Sequence, residues 1–114
     1  MKIRITAVCL ALALVFSAAS CSSLRRFDPA YDSFDHGLSL FNQGRFADAV
    51  TPLEAYHRLQ PDNAQSSLFL GQAYAAVGRR DEARKILTAG AEIADRTGNP
   101  ATARNCREIL SQLP

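Results

Sequence analysis

The stretch Leu70-Gly71-Gln72-Ala73-Tyr74-Ala75-Ala76-Val77-Gly78-Arg79-Arg80-Asp81-Glu82-Ala83 constrains this chain more than any other. It reads as the end of one helix, a tight glycine-bearing turn, and the start of a second helix folded back on the first. A weaker copy lies 34 residues upstream. Gly37 matches Gly71, Leu40 matches Tyr74, Gly44 matches Gly78, Ala49 matches Ala83 and Leu53 matches Leu87. One offset that carries small residues onto small and large apolar residues onto large ones is an internal repeat. A period of this length with helical punctuation specifies a stack of antiparallel helical hairpins. In each hairpin the small pairs Gly37 and Ala49, or Gly71 and Ala83, admit close approach of the two helices. Leu40 and Leu53, or Tyr74 and Leu87, fill the volume between them and the next hairpin.

Cap and stop residues then place five helices. Asp28-Pro29 opens the first, because Asp accepts from free backbone N–H groups and Pro is pre-set for the first turn. This helix is predicted over about 29–43, with Gly44 for the left-handed stop, and carries Tyr31, Phe34, Leu38, Leu40 and Phe41. The second, over about 46–59, carries Phe46, Ala49, Val50, Leu53 and Tyr56. Pro52 lies about one and a half turns into it, removes the bond to the carbonyl near Asp48, and predicts a mild kink. Gln60-Pro61-Asp62-Asn63 ends the second helix and caps a third over about 64–77, stopped by Gly78. The fourth, over about 81–96, begins with Asp81 and Glu82, which suit the positive end of the helix dipole, and stops at Gly98. Asn99-Pro100 starts a fifth, to about residue 113, with Ala103, Cys106, Leu110 and Leu113 on one stripe.

The period and the glycine-bearing turns resemble the tetratricopeptide repeat family over about 30–94. The resemblance implies an all-α fold: two helix-turn-helix hairpins (30–63 and 64–97, within a repeat region over 29–97) and a C-terminal capping helix over 98–114, a fragment of a right-handed α-solenoid. At the 34-residue offset Arg104 and Asn105 stand where a third repeat would place an apolar residue and its glycine, so the fifth helix is expected to cover the open end of the stack. The first copy departs from the family pattern twice. His36 replaces the usual leucine, which puts it half-buried at the N-terminal edge, and Tyr56 takes a usually small position. The resemblance further implies a protein or peptide partner in a groove lined by first helices. Carried over residue by residue, that groove presents Tyr31, Phe34, Leu38, Phe41 and Asn42, then Gln65, Leu68, Gln72, Ala75 and Ala76. Leu38 and Gln72 stand where the carboxylate-clamp subgroup has asparagine, which argues against recognition of a C-terminal carboxylate. Two repeats are few for an array whose units bury their faces only on neighbours. The free edge of the first hairpin is therefore expected to be completed by a partner or by a second copy in a homodimer.

Met1-Lys2-Ile3-Arg4 is basic, residues 5–16 form an apolar run of 12 residues broken only by Thr6, and Ser17-Ala18-Ala19-Ser20 is small and uncharged. This is the layout of a secretory signal peptide over residues 1–20, and the run is shorter than the roughly 20 apolar residues of a spanning helix. Ser17-Ala18-Ala19-Ser20-Cys21 resembles a bacterial lipobox, with Ala18 where Leu, Val or Ile is usual. The resemblance implies acylation of Cys21, a tether over 21–28, and an outer-membrane lipoprotein facing the periplasm. Ordinary cleavage after Ala19 or Ser20 leaves the alternative of a periplasmic or secreted domain.

Without residues 1–20 the Lys+Arg count falls from 13 to 11, because Lys2 and Arg4 leave, and equals the 11 Asp+Glu. No basic footprint for nucleic acid remains. Of the three cysteines, Cys9 lies in the signal segment and Cys21 at the lipobox, so Cys106 stands alone and is expected to be a buried small hydrophobe. His36 and His57 lie on different helices, His57 on an expected exposed face, and neither sits in a metal-ligand pattern. No phosphate loop, nucleophile elbow or paired carboxylates are present. The expectation is a non-catalytic interaction module without a cofactor or metal, acting as an envelope adaptor or scaffold. A pilotin-like assembly chaperone is the alternative role.

Overall fold

The computed structural model describes residues 29–114, with side chains from residue 32 onward. The signal segment, Cys21 and the tether lie outside the described residues. The described chain is helical: α1 Pro29–Asn42, α2 Phe46–Leu59, α3 Ala64–Ala76, α4 Arg80–Arg96 and α5 Pro100–Gln112. Each span agrees with its sequence expectation to within a residue at either end. None of the described helices is long and apolar enough to cross a membrane.

The turns repeat at atomic detail. Gly44 and Gly78 adopt φ of 76° and 84°, a left-handed conformation that a Cβ would strain. Arg45 N–H then donates to the Leu40 carbonyl at 2.9 Å and Arg79 N–H to the Tyr74 carbonyl at 2.8 Å. These bonds satisfy carbonyls that the helix end leaves free. Asn99 N–H closes on the Ala94 carbonyl in the same way. Pro52 sits inside α2, which continues through it to Leu59. The loss of one bond near the helix start is tolerated because both flanking turns remain packed.

In this arrangement α2 packs between α1 and α3, α4 packs between α3 and α5, and α3 also touches α1 and α5 directly. Leu53 and Leu87 are fully buried and define the hairpin interiors. Each leucine lies over the glycine of its own hairpin: a Cβ on Gly37 would come within 2.8 Å of Leu53 Cδ2, and one on Gly71 within 2.5 Å of Leu87 Cδ2. A smaller cluster of Ala64, Ile93, Ala94 and Ala103 joins α3, α4 and α5. Between the hairpins the Tyr74 hydroxyl donates to Glu54 Oε1 at 2.6 Å. Arg79 stacks over the Tyr74 ring at 4.5 Å and reaches Glu54 at 3.5 Å. Burial and the Glu54 carboxylate together push the Tyr74 hydroxyl well above the ordinary tyrosine range.

The α5 helix carries a register that the 34-residue offset hides. Asn63 Oδ1 caps α3 by accepting from Ser66 N–H at 3.1 Å, and Asn99 Oδ1 caps α5 by accepting from Thr102 N–H at 3.2 Å. The two caps are 36 residues apart, two more than the repeat offset, because α4 has 17 residues where α2 has 14 and the link that follows it is one residue shorter. In this register Thr102, Ala103 and Cys106 stand at the places of Ser66, Ser67 and Leu70, and all six are buried. Arg104 and Arg107 stand at the places of Leu68 and Gly71, which face forward in α3, and both arginines are exposed. Arg107 instead reaches back to pair with Asp95 of α4. The fifth helix is thus a first-type helix with a polar outer side.

At the opposite end, the described α1 residues are polar in the same manner, which corrects one expectation. Ser66, Leu70 and Ala73 of α3 are buried, whereas their counterparts in α1, Asp32, His36 and Ser39, are all exposed. His36 is therefore solvated and not half-buried. Among the described residues, the α1 side of this edge is polar at these three positions. His57 departs in the other direction. Expected on an exposed face, it is half-buried, and its Nδ1 is enclosed without a hydrogen-bond partner.

Candidate functional site

The sequence-predicted groove residues divide sharply once placed. Tyr31 lies in α1 with its side chain outside the described residues, and Cys21 lies outside them altogether. Phe34 is half-buried, stacked on Tyr56 with ring centroids 4.5 Å apart and edge-on to Phe69 at 6.4 Å. Phe41 meets Phe46 at 5.0 Å and Phe69 at 5.3 Å, both edge-to-face. Leu68 is buried in the main core. These aromatic and aliphatic side chains join α1, α2 and α3, and such ring contacts add to the apolar area already buried. The groove is left with Leu38 and Gln72, both half-buried, and with Asn42 and Gln65, both exposed.

The face does not stop at α3. Gln72 lines a hollow of about 230 Å³ between α3 and α5, together with Asn105, Glu108, Ile109 and Gln112. The four α5 residues lie outside the groove expected from the sequence, where the fifth helix is a capping helix. The signal that finds them is the Asn63-to-Asn99 cap spacing. In that register Glu108 continues the row Leu38–Gln72, and Gln112 continues Asn42–Ala76. Three amides offer both donors and acceptors, and Glu108 offers acceptors alone. An array of this kind can hydrogen-bond a segment of main chain or a polar side chain.

A second hollow, of about 240 Å³, opens among α2, α3 and α4 and is lined by Glu54, His57, Arg58, Leu70, Tyr74 and Ile86. Its lining does not include Tyr56, which in the first copy stands at the place of Gly90 in the second and whose hydroxyl accepts from Asn63 Nδ2 at 3.0 Å. Its Glu54 and Tyr74 are already engaged with each other. Burial in this apolar setting lowers the His57 pKa below 6.5. The folded state therefore binds fewer protons than the unfolded chain, so stability is full above pH 6.5 and declines as the pH falls through and below that value. We expect the denaturant midpoint to drop between pH 6.5 and 5 and His57→Phe to flatten that drop. An unchanged slope in the variant would assign the decline to other groups.

Nothing in the described residues resembles catalytic machinery. No group of three or more His, Cys, Asp or Glu there could hold a metal ion. Cys106 is a free thiol, fully buried, and its pKa is raised by that burial, which keeps it protonated and unreactive.

A family model of the tetratricopeptide repeat matches residues 40–105, from the end of α1 into α5. The peroxisomal targeting signal 1 receptor of Dictyostelium discoideum is 31% identical over 62 residues, which is 54% of this chain and 10% of the receptor. This chain thus aligns with only about a tenth of that protein's length. The hairpin turns, the glycine-leucine packing and the family match agree, and the chain belongs to the tetratricopeptide repeat family as a protein–protein interaction module.

Proposed function

We propose that this chain is a non-catalytic adaptor of the bacterial envelope, held to the outer membrane by acyl chains on Cys21, that binds a segment of a partner protein along α1, α3 and α5. The observation that carries the reading is the hollow between α3 and α5. It extends the row Leu38–Gln72 onto a third helix and presents amides with no main-chain task. A solenoid face lined by side-chain amides suits an extended segment, whose unpaired backbone groups need partners. The likeness to a tenth of a protein named as a receptor for a targeting signal supports the same class of activity.

A photo-crosslinking residue at exposed Gln65 should trap a discrete partner in cells, while the same residue at Lys85 on α4 should not. Equal adducts from both positions would remove the face from consideration. The anchor has its own test. Labelled palmitate should enter the wild-type protein and be lost completely in Cys21→Ala, with the protein moving from the membrane to the soluble fraction. Absence of label in the wild type would leave a soluble periplasmic or secreted domain.

A further inference from the structure

We infer that the hollow between α3 and α5 receives a lysine or arginine side chain of the bound segment, with Glu108 supplying the counter-charge. The inference rests on the peptide-binding reading above and adds the chemistry of one subsite. Of the five residues that line the hollow, Glu108 alone is charged. Among the described residues its carboxylate enters no ion pair: the arginines nearest in sequence are Arg107, which is paired with Asp95, and Arg104, which is exposed and does not line the hollow. The carbonyl oxygens of Gln72, Asn105 and Gln112 can accept from an ammonium or guanidinium group. Ile109 gives the aliphatic stem of such a side chain an apolar wall. An acidic side chain would meet a like charge there, and an apolar one would leave amides without partners. At about 230 Å³ the space holds one long side chain and not a helix.

Position gives the inference a direction as well as a charge. Leu38, Gln72 and Glu108 occupy one place in the three first-type helices, so the face changes from apolar to amide to acidic between α1 and α5. The bound segment should present an apolar side chain toward α1 and a basic one toward α5.

Selection of a random displayed dodecapeptide library on the full chain, purified in detergent, tests this. Enriched peptides should carry Lys or Arg at one fixed spacing from an apolar residue. Replacing that basic residue by norleucine, or Glu108 by Gln, should each weaken binding on the order of fivefold, as expected of a partly solvated ion pair. The two changes together should cost no more than either alone. Glu108→Lys should shift enrichment toward Asp and Glu. Peptides that bind with no basic preference, or with one that Glu108→Gln leaves intact, overturn the subsite while leaving the groove. Failure to enrich any peptide overturns both.

Discussion

Leu87→Ala should lower the stability of the domain by about 3–5 kcal/mol, at the upper end of the range for a buried leucine. Leu87 is fully buried and lies directly over Gly71, so its loss opens a space that a glycine cannot help to close. The denaturant midpoint followed by circular dichroism should fall with little change of slope. A domain of this size has roughly 5–15 kcal/mol in total, so the variant should be partly unfolded at 37 °C. The reciprocal change sharpens the test. Gly71→Ala places a methyl 2.5 Å from both Cδ2 and Cγ of Leu87, so rotating the tip of the leucine does not relieve the contact. The overlap should outweigh the roughly 1 kcal/mol by which alanine improves on glycine in a helix. In the double variant the new methyl enters the vacated space. The combined loss should then fall short of the sum by on the order of 1–2 kcal/mol. Simple additivity would show that the two residues do not share this volume.

Gly90→Ala is expected to cost about 2 kcal/mol, for a different reason. Its added Cβ would lie 2.8 Å from Ser67 Cβ and 3.4 Å from Cys106 Sγ. A Cβ is fixed to its backbone, so relief requires α3 or α5 to move away from α4. Ser67 cannot rotate aside usefully, since its hydroxyl donates to the Asn63 carbonyl at 3.3 Å within a wholly buried position. Thermal unfolding should show a fall of roughly 10 °C, taking 4–8 °C per kcal/mol for a domain of this size. Because the same shift separates α3 from α5, Gly90→Ala should also weaken binding in the Gln72–Glu108 hollow. A variant as stable as wild type would show that the three helices tolerate a wider spacing.

The repeat was legible because its signals are local. Gly44 and Gly78 mark left-handed turns, Asn63 and Asn99 mark caps, and the paired leucines recur at the hairpin offset. Those cues placed each helix boundary to within about a residue. The candidate face was read less well, and the failures have two physical sources. Phe34, Phe41 and Leu68 occupy groove positions in the family pattern, but here Tyr56 and Phe69 supply rings that draw them into the packing between helices. A single sequence gives positions without saying which aromatic neighbours will compete for them. Asn105, Glu108, Ile109 and Gln112 are hidden because the longer α4, with a link one residue shorter after it, moves α5 two residues out of the 34-residue register. The histidines were misjudged together. His36 occupies the place of Leu70 yet is exposed, and His57 lines the hollow among α2, α3 and α4.

The two polar ends also limit how an array of this kind can change in length. Adding a hairpin after α5 would bring its helix against Arg107, which stands where the close approach needs glycine. Adding one before α1 would bury Asp32, His36 and Ser39 against it. A duplicated unit is accommodated without either conflict only in the interior, between α4 and α5, where the residues that meet solvent stay at the outside. Such growth would lengthen the face between Gln72 and Glu108 and so change the spacing at which a partner is read, while leaving both terminal helices untouched.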